Sequence, residues 1–193
     1  MPSEAPSDLT AVLDACVLWP ASLRDTLLRL GETPHQYLPK WSDEIWREVA
    51  RNLEARRKLS PDKISHLLTQ VRKHFPEAAV TGYEKLVASM KNEPKDRHVL
   101  AAAVECGAQV IVTSNVRDFP PESLSEWDIE AQDPDQFLLS LFERYPAEII
   151  AKLRDQASTI DRTLPRLLNT LRVVIPRFAA AVASNLQLEL LGN

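Results

Sequence analysis

The sequence predicts an α/β fold, a central and mostly parallel sheet with helices on both faces. Three features carry that expectation. Short, continuously apolar runs such as "TAVL" and "QVIV" read as strands buried on both sides. Between them, apolar residues recur every three or four positions, as in amphipathic helices. The two patterns alternate up to about residue 132, the order that a parallel sheet with crossover helices requires.

Taken in order, "TAVLDA" is a short buried strand, and "SLRDTLLRLGE" is an amphipathic helix closed by Gly31. "HQYLPKW" supplies a weaker strand pattern. "SDEIWREVARNLEARRKL" is a strong helix, with Ser42 as N-cap and Ile45, Val49 and Leu53 at i+4 spacing. "SPDKISHLLTQVRKHF" opens with Ser60 as N-cap and Pro61 at the first helical position. "AAVTGY" is a short strand candidate. "KDRHVLAAAVECG" is a helix stopped by Gly107, followed by the strand "AQVIVT" and a last strand candidate, "WDIEAQ". From Asp133 the strand pattern disappears, and Pro146, Pro165 and Pro176 divide what remains into helical segments. The expected organisation is therefore residues 1–132 as an α/β domain and 133–193 as a helical C-terminal extension.

With 193 residues, 45% hydrophobic and 26% charged, the chain has the composition of a globular protein with a sizeable core. Two cysteines, Cys16 and Cys106, give no disulfide framework and suit a reducing compartment. "MPSEAPSDLT" lacks the basic flank and apolar core of a signal peptide, and no apolar run is long enough to span a bilayer. A cytoplasmic protein is expected. The net charge is −4 but unevenly spread: eight Lys/Arg face three Asp/Glu between Ile45 and Phe75, whereas three face nine between Pro121 and Ile160. The basic run (Arg47, Arg51, Arg56, Arg57, Lys58, Arg72, Lys73) suits phosphate contacts, a solvated helix face or an acidic partner.

In parallel sheets, functional groups gather at the carboxyl ends of the strands. Asp14 ends the first strand there, and Thr113, Ser114 and Asn115 follow "QVIV". Further acidic candidates are the Glu44/Glu48 pair, Asp96 and Asp118. Carboxylates converging on one crevice repel one another unless a cation neutralises them, and hard ions such as Mg²⁺ or Mn²⁺ take oxygen ligands. Such ions support phosphodiester hydrolysis without a Ser, His or Cys nucleophile.

The blocks "VLDACVLWP", "EIWREVARNL", "KDRHVLAAAVECGAQVIVTSNVRDFP" and "IEAQDPDQFL" resemble, in order, the successive blocks of a PIN domain. The resemblance runs from Thr10 to Leu138, and Asp96 to Phe119 is its most specific part. That family comprises small metal-dependent ribonucleases, among them the VapC-like toxins of bacterial toxin–antitoxin pairs. It implies a three-layer α/β/α fold, an endoribonuclease using Mg²⁺ or Mn²⁺, an RNA substrate, an antitoxin partner and a homodimer.

The resemblance also assigns roles. Asp14 matches the first acidic ligand and Asp96 the third. For the second, Glu48 lies nearer the margin of the apolar stripe than Glu44 and at the family's spacing from Ser42. The fourth falls to Asp118 or Asn115, with Thr113 holding a neighbouring carboxylate or water; turn chemistry accounts for Thr113 and Asn115 equally well. Each acid has a structural reading too: helix capping for Asp14, first-turn stabilisation for Asp96 and a surface pair with Arg51 for Glu48. His98 reads as a polar boundary residue, Arg97 as a weak phosphate contact, and Cys16 as a small buried residue. Trp19, Trp41, Trp46 and Trp127 read as core, with base stacking the other use of Trp19.

The rival to a nuclease is a catalytically weak PIN-fold scaffold, whose extension docks a partner. A dinucleotide-binding enzyme is excluded by the absence of glycine between Asp14 and Pro20, and an aspartyl-nucleophile phosphatase by Cys16 at the place of its second acid.

Overall fold

The computed structural model describes residues 9–191; the N-terminal segment in which no signal peptide was read lies mostly outside them, as do residues 192–193. Five strands form one parallel sheet in the order β3-β2-β1-β4-β5, with β1 at Thr10–Leu13, β2 at Leu38–Ser42, β3 at Ala79–Val80, β4 at Val110–Val112 and β5 at Glu130–Gln132. The register aligns Ala11 with Pro39 on one side and with Val110 on the other. The expected three-layer α/β/α architecture with a helical C-terminal region is present.

Strand order fixes where the helices go. The chain leaves β1 through α1 (Ala15–Leu18) and α2 (Ala21–Gly31) toward β2, then through α3 (Asp43–Arg57) and α4 (Pro61–His74) toward β3. It returns through α5 (Arg97–Glu105) to β4, and through α6 (Pro121–Leu124) to β5. Right-handed crossovers running in opposite directions put α2 and α3 on one face and α5 on the other. The direction reverses between β1 and β4, which opens a crevice at the carboxyl ends of those two strands. Asp14 follows β1 there, and Thr113 follows β4.

The centre is dry. β4 is wholly buried, as are Ala11, Val12 and Leu13 of β1. In α5, Ala101, Ala102 and Ala103 are buried against the sheet, and their small side chains let the helix approach closely. Gly31 ends α2 against Pro39, whose Cγ would lie 2.7 Å from a Cβ at that position. Gly31→Ala therefore drives a methyl into a proline ring that cannot swing away. We expect a loss of about 1–3 kcal/mol in urea unfolding.

Past β5 come α7 (Pro134–Arg144), α8 (Pro146–Thr159), α9 (Leu164–Leu171) and α10 (Pro176–Leu191). Asp133 caps α7 by accepting the N–H groups of Asp135 and Gln136, both at 3.0 Å. The Asp135 carboxylate is buried and accepts from the backbone N–H groups of Arg177 and Phe178 at the start of α10. Gln156 of α8 is tied to α2, accepting from the Thr26 hydroxyl at 2.9 Å and donating to the Ser22 carbonyl at 3.2 Å. Tyr37 stacks edge-on against Phe137 of α7. These helices share one continuous core with the sheet. Among the described residues, no helix is long and apolar enough to cross a membrane.

Candidate active site

Asp14 is 4% exposed at the mouth of the crevice. Its backbone N–H extends the ladder to the Val112 carbonyl at 3.1 Å, which fixes where the side chain leaves the sheet. The Thr113 hydroxyl, fully buried, donates to Asp14 Oδ2 at 2.7 Å, and the Cys16 thiol donates to the same oxygen at 3.1 Å. Thr113 Oγ1 in turn accepts the Asn115 N–H at 3.0 Å, and Cys16 Sγ accepts the Ser114 N–H at 3.1 Å. The loops after β1 and β4 are thereby bound together around one carboxylate. Burial, reinforced by the charge of Asp14, pushes the Cys16 thiol up to about 12, so it stays protonated as a donor.

Asp96 ends the short 3₁₀ turn Pro94–Asp96 before α5 and is 8% exposed. Burial first, then the charge of Asp14, raises its carboxyl from 3.8 to about 6. The charge of Asp14, 82 positions earlier in the sequence, thus acts on the Asp96 carboxyl. Asp118 belongs to this group too. Its Oδ2 lies 3.0 Å from Lys95 Nζ, and that ammonium holds its carboxyl below the ordinary range. Lys95 also stands 3.8 Å from Asp96 Oδ2. The Glu93 N–H donates to the Asp118 carbonyl at 3.1 Å, which joins the Asp96 turn to the Asp118 loop.

The second acidic position comes from α3. Its N-cap Ser42 accepts the Ile45 N–H at 3.2 Å, and the helix presents Glu44 and Glu48 toward the start of α5. Glu48 Oε1 lies 3.1 Å from His98 Nε2, whereas Glu44 Oε2 lies 4.0 Å from His98 Nδ1 and 3.5 Å from the Tyr83 hydroxyl that donates to it. His98, then the charges of Arg51 and Lys95, hold the Glu48 carboxyl down against the effect of burial. The Glu48–Arg51 pair read from the sequence is present at 3.8 Å. Asn115 lines the same loop through its backbone.

His98 corrects the sequence reading. It is 5% exposed, not a boundary residue, and at the start of α5 its ring reaches Glu48 and Glu44 near the start of α3. Burial lowers its pKa, but the carboxylates of Glu48, Glu44 and Asp14 outweigh that and raise it overall. Its contact with Glu48 is close but not aligned as a straight hydrogen bond, and Nδ1 has only the 4.0 Å approach of Glu44. Cys16 and Lys95 also went unrecognised as site residues; their only sequence signal is adjacency, Cys16 two residues past Asp14 and Lys95 just before Asp96. Trp19 is half-buried at the molecular edge, while Trp41 and Trp46 are buried as expected.

For His98→Ala, which leaves Glu48 without its buried neighbour, we expect urea unfolding to show a loss of about 1–3 kcal/mol. His98→Gln, which keeps a donor, is expected to lose less.

The charges of Asp14 and Asp118 act on Asp96, and those of Asp14, Glu44 and Glu48 act on His98, with Lys95 among them; oxygen donors of this kind are those a hard divalent cation takes. Asp96 Oδ2 is buried, with the Lys95 ammonium 3.8 Å away as its neighbouring positive charge. Among the described residues, no three such side chains stand ready in coordinating array. Asp14 is engaged by Thr113 and Cys16, Glu48 by His98, and Asp118 by Lys95.

Comparison with known proteins adds one relative. The chain is 43% identical over 102 residues to a curated protein of Mycobacterium tuberculosis named "Putative ribonuclease VapC50". The aligned part is 51% of this chain and 60% of that relative. Half of the chain thus resembles a VapC protein. No protein-family model matches the chain.

Proposed function

We propose that the protein is a metal-dependent endoribonuclease, the toxin of a type II toxin–antitoxin pair. The observation that carries this reading is that Asp14, bound to Thr113 across the strand-order reversal, bears a charge that raises the carboxyl of Asp96. The relative named a ribonuclease supports the substrate class. Asp14, Glu48, Asp96 and Asp118 would hold Mg²⁺ or Mn²⁺, with Asn115 as a neutral neighbour. The chemistry such an ion supplies is Lewis acidity: it offsets the charge of a phosphodiester and acidifies water.

The chain's own groups provide the rest. Thr113 and Cys16 fix the Asp14 carboxylate through one oxygen, so its orientation is set before any ligand arrives. His98 holds Glu48 toward the crevice. Lys95, with its side chain largely exposed, neutralises Asp118 and is free to turn its ammonium to a phosphate. In the reaction, water adds to phosphorus and one P–O bond breaks, leaving a phosphate on one fragment and a hydroxyl on the other. An antitoxin, a second copy of the chain and a cytoplasmic setting complete this reading, with residues 133–193 as an extension to the nuclease domain.

The test is incubation of single-stranded RNA with the full chain in Mn²⁺, in Mg²⁺ and in EDTA. Cleavage with either ion and none in EDTA is expected, and Asp14→Asn is expected to abolish it. Equal cleavage by wild type and Asp14→Asn would contradict the mechanism.

A further inference from the structure

Trp19 follows the single turn of α1, five residues beyond Asp14, and its ring is partly open to solvent. Its backbone is held from below. Arg24, whose guanidinium is lowered in pKa by burial, donates from Nη1 to the carbonyls of Leu18 at 2.8 Å and Trp19 at 3.2 Å. Two further guanidinia, those of Arg56 and Arg57, each lie 5.4 Å from the centroid of the Trp19 ring. Both belong to the last turn of α3, and both are exposed.

The same helix leads back to the acidic crevice. Glu48, Asn52 and Arg56 follow one another at intervals of four along one stripe, and the Asn52 amide donates to the Glu48 carbonyl at 3.0 Å. Eight residues at 1.5 Å each separate Glu48 from Arg56 by roughly 12 Å along the axis. Beside the ring runs a groove of about 430 Å³ lined by Trp19, Pro20, Arg57, Leu59, Val173 and Val174 among others, with Val173 83% exposed. Its lining contains two arginines and no Asp or Glu.

We infer that Trp19, Arg56 and Arg57 form a subsite for single-stranded RNA, stacking a base on the indole and pairing its phosphates with the guanidinia. The inference rests on the ribonuclease reading above and extends it to how substrate is held. An aromatic face flanked by arginines is what an unpaired nucleotide uses, since every base has a π-face and every linkage a negative charge. The stripe on α3 leads from Arg56 through Asn52 to Glu48. An acidic amphipathic peptide is the rival occupant, but it would draw on the valines of the groove and have little use for a ring beside two arginines.

The experiment measures binding of a random-sequence single-stranded RNA 12-mer to the full chain in EDTA, where cleavage is stopped. Trp19→Ala is expected to weaken binding about tenfold and Trp19→Phe to restore most of it. The double variant Arg56→Gln/Arg57→Gln is expected to reduce the slope of log K against log salt by about 1.4. With Mn²⁺ present, Trp19→Ala is expected to raise KM and leave kcat near wild type. Circular dichroism checks that each variant is folded, and Trp19→Phe keeps the comparison decisive if Trp19→Ala is not. Wild type that cleaves RNA while all three variants bind it unchanged would overturn the subsite and spare the nuclease. Variants that lose only an acidic amphipathic peptide would overturn it in favour of a protein partner. Wild type that neither binds nor cleaves RNA would remove the ribonuclease reading, and the subsite with it.

Discussion

Asp96→Asn is expected to move activity and stability in opposite directions. Cleavage of RNA falls on the order of 10³-fold or more, because a cation ligand contributing several kcal/mol to charge stabilisation is lost. The metal-free protein, in contrast, becomes more stable at pH 7.5. Asp96 is a buried carboxylate beside Asp14 and raised to about 6, so ionising it in the folded chain costs free energy that a neutral amide does not. Allowing for solvent screening, the gain is about 1 kcal/mol, or ~2–4 °C in melting temperature. A residue kept for packing alone would show a loss of both. Thermal melts in EDTA, beside cleavage assays in Mn²⁺, read the two effects separately.

The second large effect is the pH dependence of stabilisation by divalent ions. The folded Asp96 carboxyl lies above its ordinary 3.8, so the stability it contributes is fully present below that value and is lost as pH rises through about 6. His98, also raised, acts in the same sense: its contribution is present below 6.5 and is lost at higher pH. Glu48 and Asp118 are lowered and act in the opposite sense, but their windows lie below 4.5 and 3.8. The metal-free protein is therefore expected to lose stability between pH 5 and pH 8. Divalent ions reverse this, since they bind the deprotonated crevice. With near-millimolar affinity, 10 mM Mn²⁺ adds about 1.4 kcal/mol at pH 8 and much less at pH 5. Melts with and without Mn²⁺ at both values check the sign; equal shifts at both would contradict it.

Much of this was legible in the sequence for identifiable reasons. β1 and β4 are unbroken apolar runs, and only a strand buried on both faces produces them. Pro146 and Pro176 mark helix starts because proline is tolerated in a first turn, and Pro165 occupies the second position of α9. The 3₁₀ run Tyr83–Ser89 was missed, since "YEKLVAS" carries no clear helical period and forms only against α5. β3 shrinks to two residues for the same lack of local signal.

At the candidate site, Asp14 follows β1 and Asp96 precedes α5, positions that the strand and helix patterns mark, whereas the roles of Glu48 and Asp118 come from the resemblance alone. Their supports were not legible. His98 is placed by α3 approaching α5 across the fold, Lys95 by the turn that returns to the Asp118 loop, and Cys16 by the loop after β4. Each depends on elements far apart in the chain, which spacing within one segment cannot express. The pairing of Trp19 with Arg56 and Arg57 is of that kind too.

Anomalous scattering from a crystal grown with Mn²⁺ at pH 8 goes to the root of the matter, whether these distant acids form one cation-binding pocket. A peak coordinated by both Asp14 and Asp96, with Lys95 turned away from Asp118, is the expected result. Manganese bound only elsewhere on the molecule, with Asp14 still held by Thr113 and Asp96 buried without a cation, would contradict it.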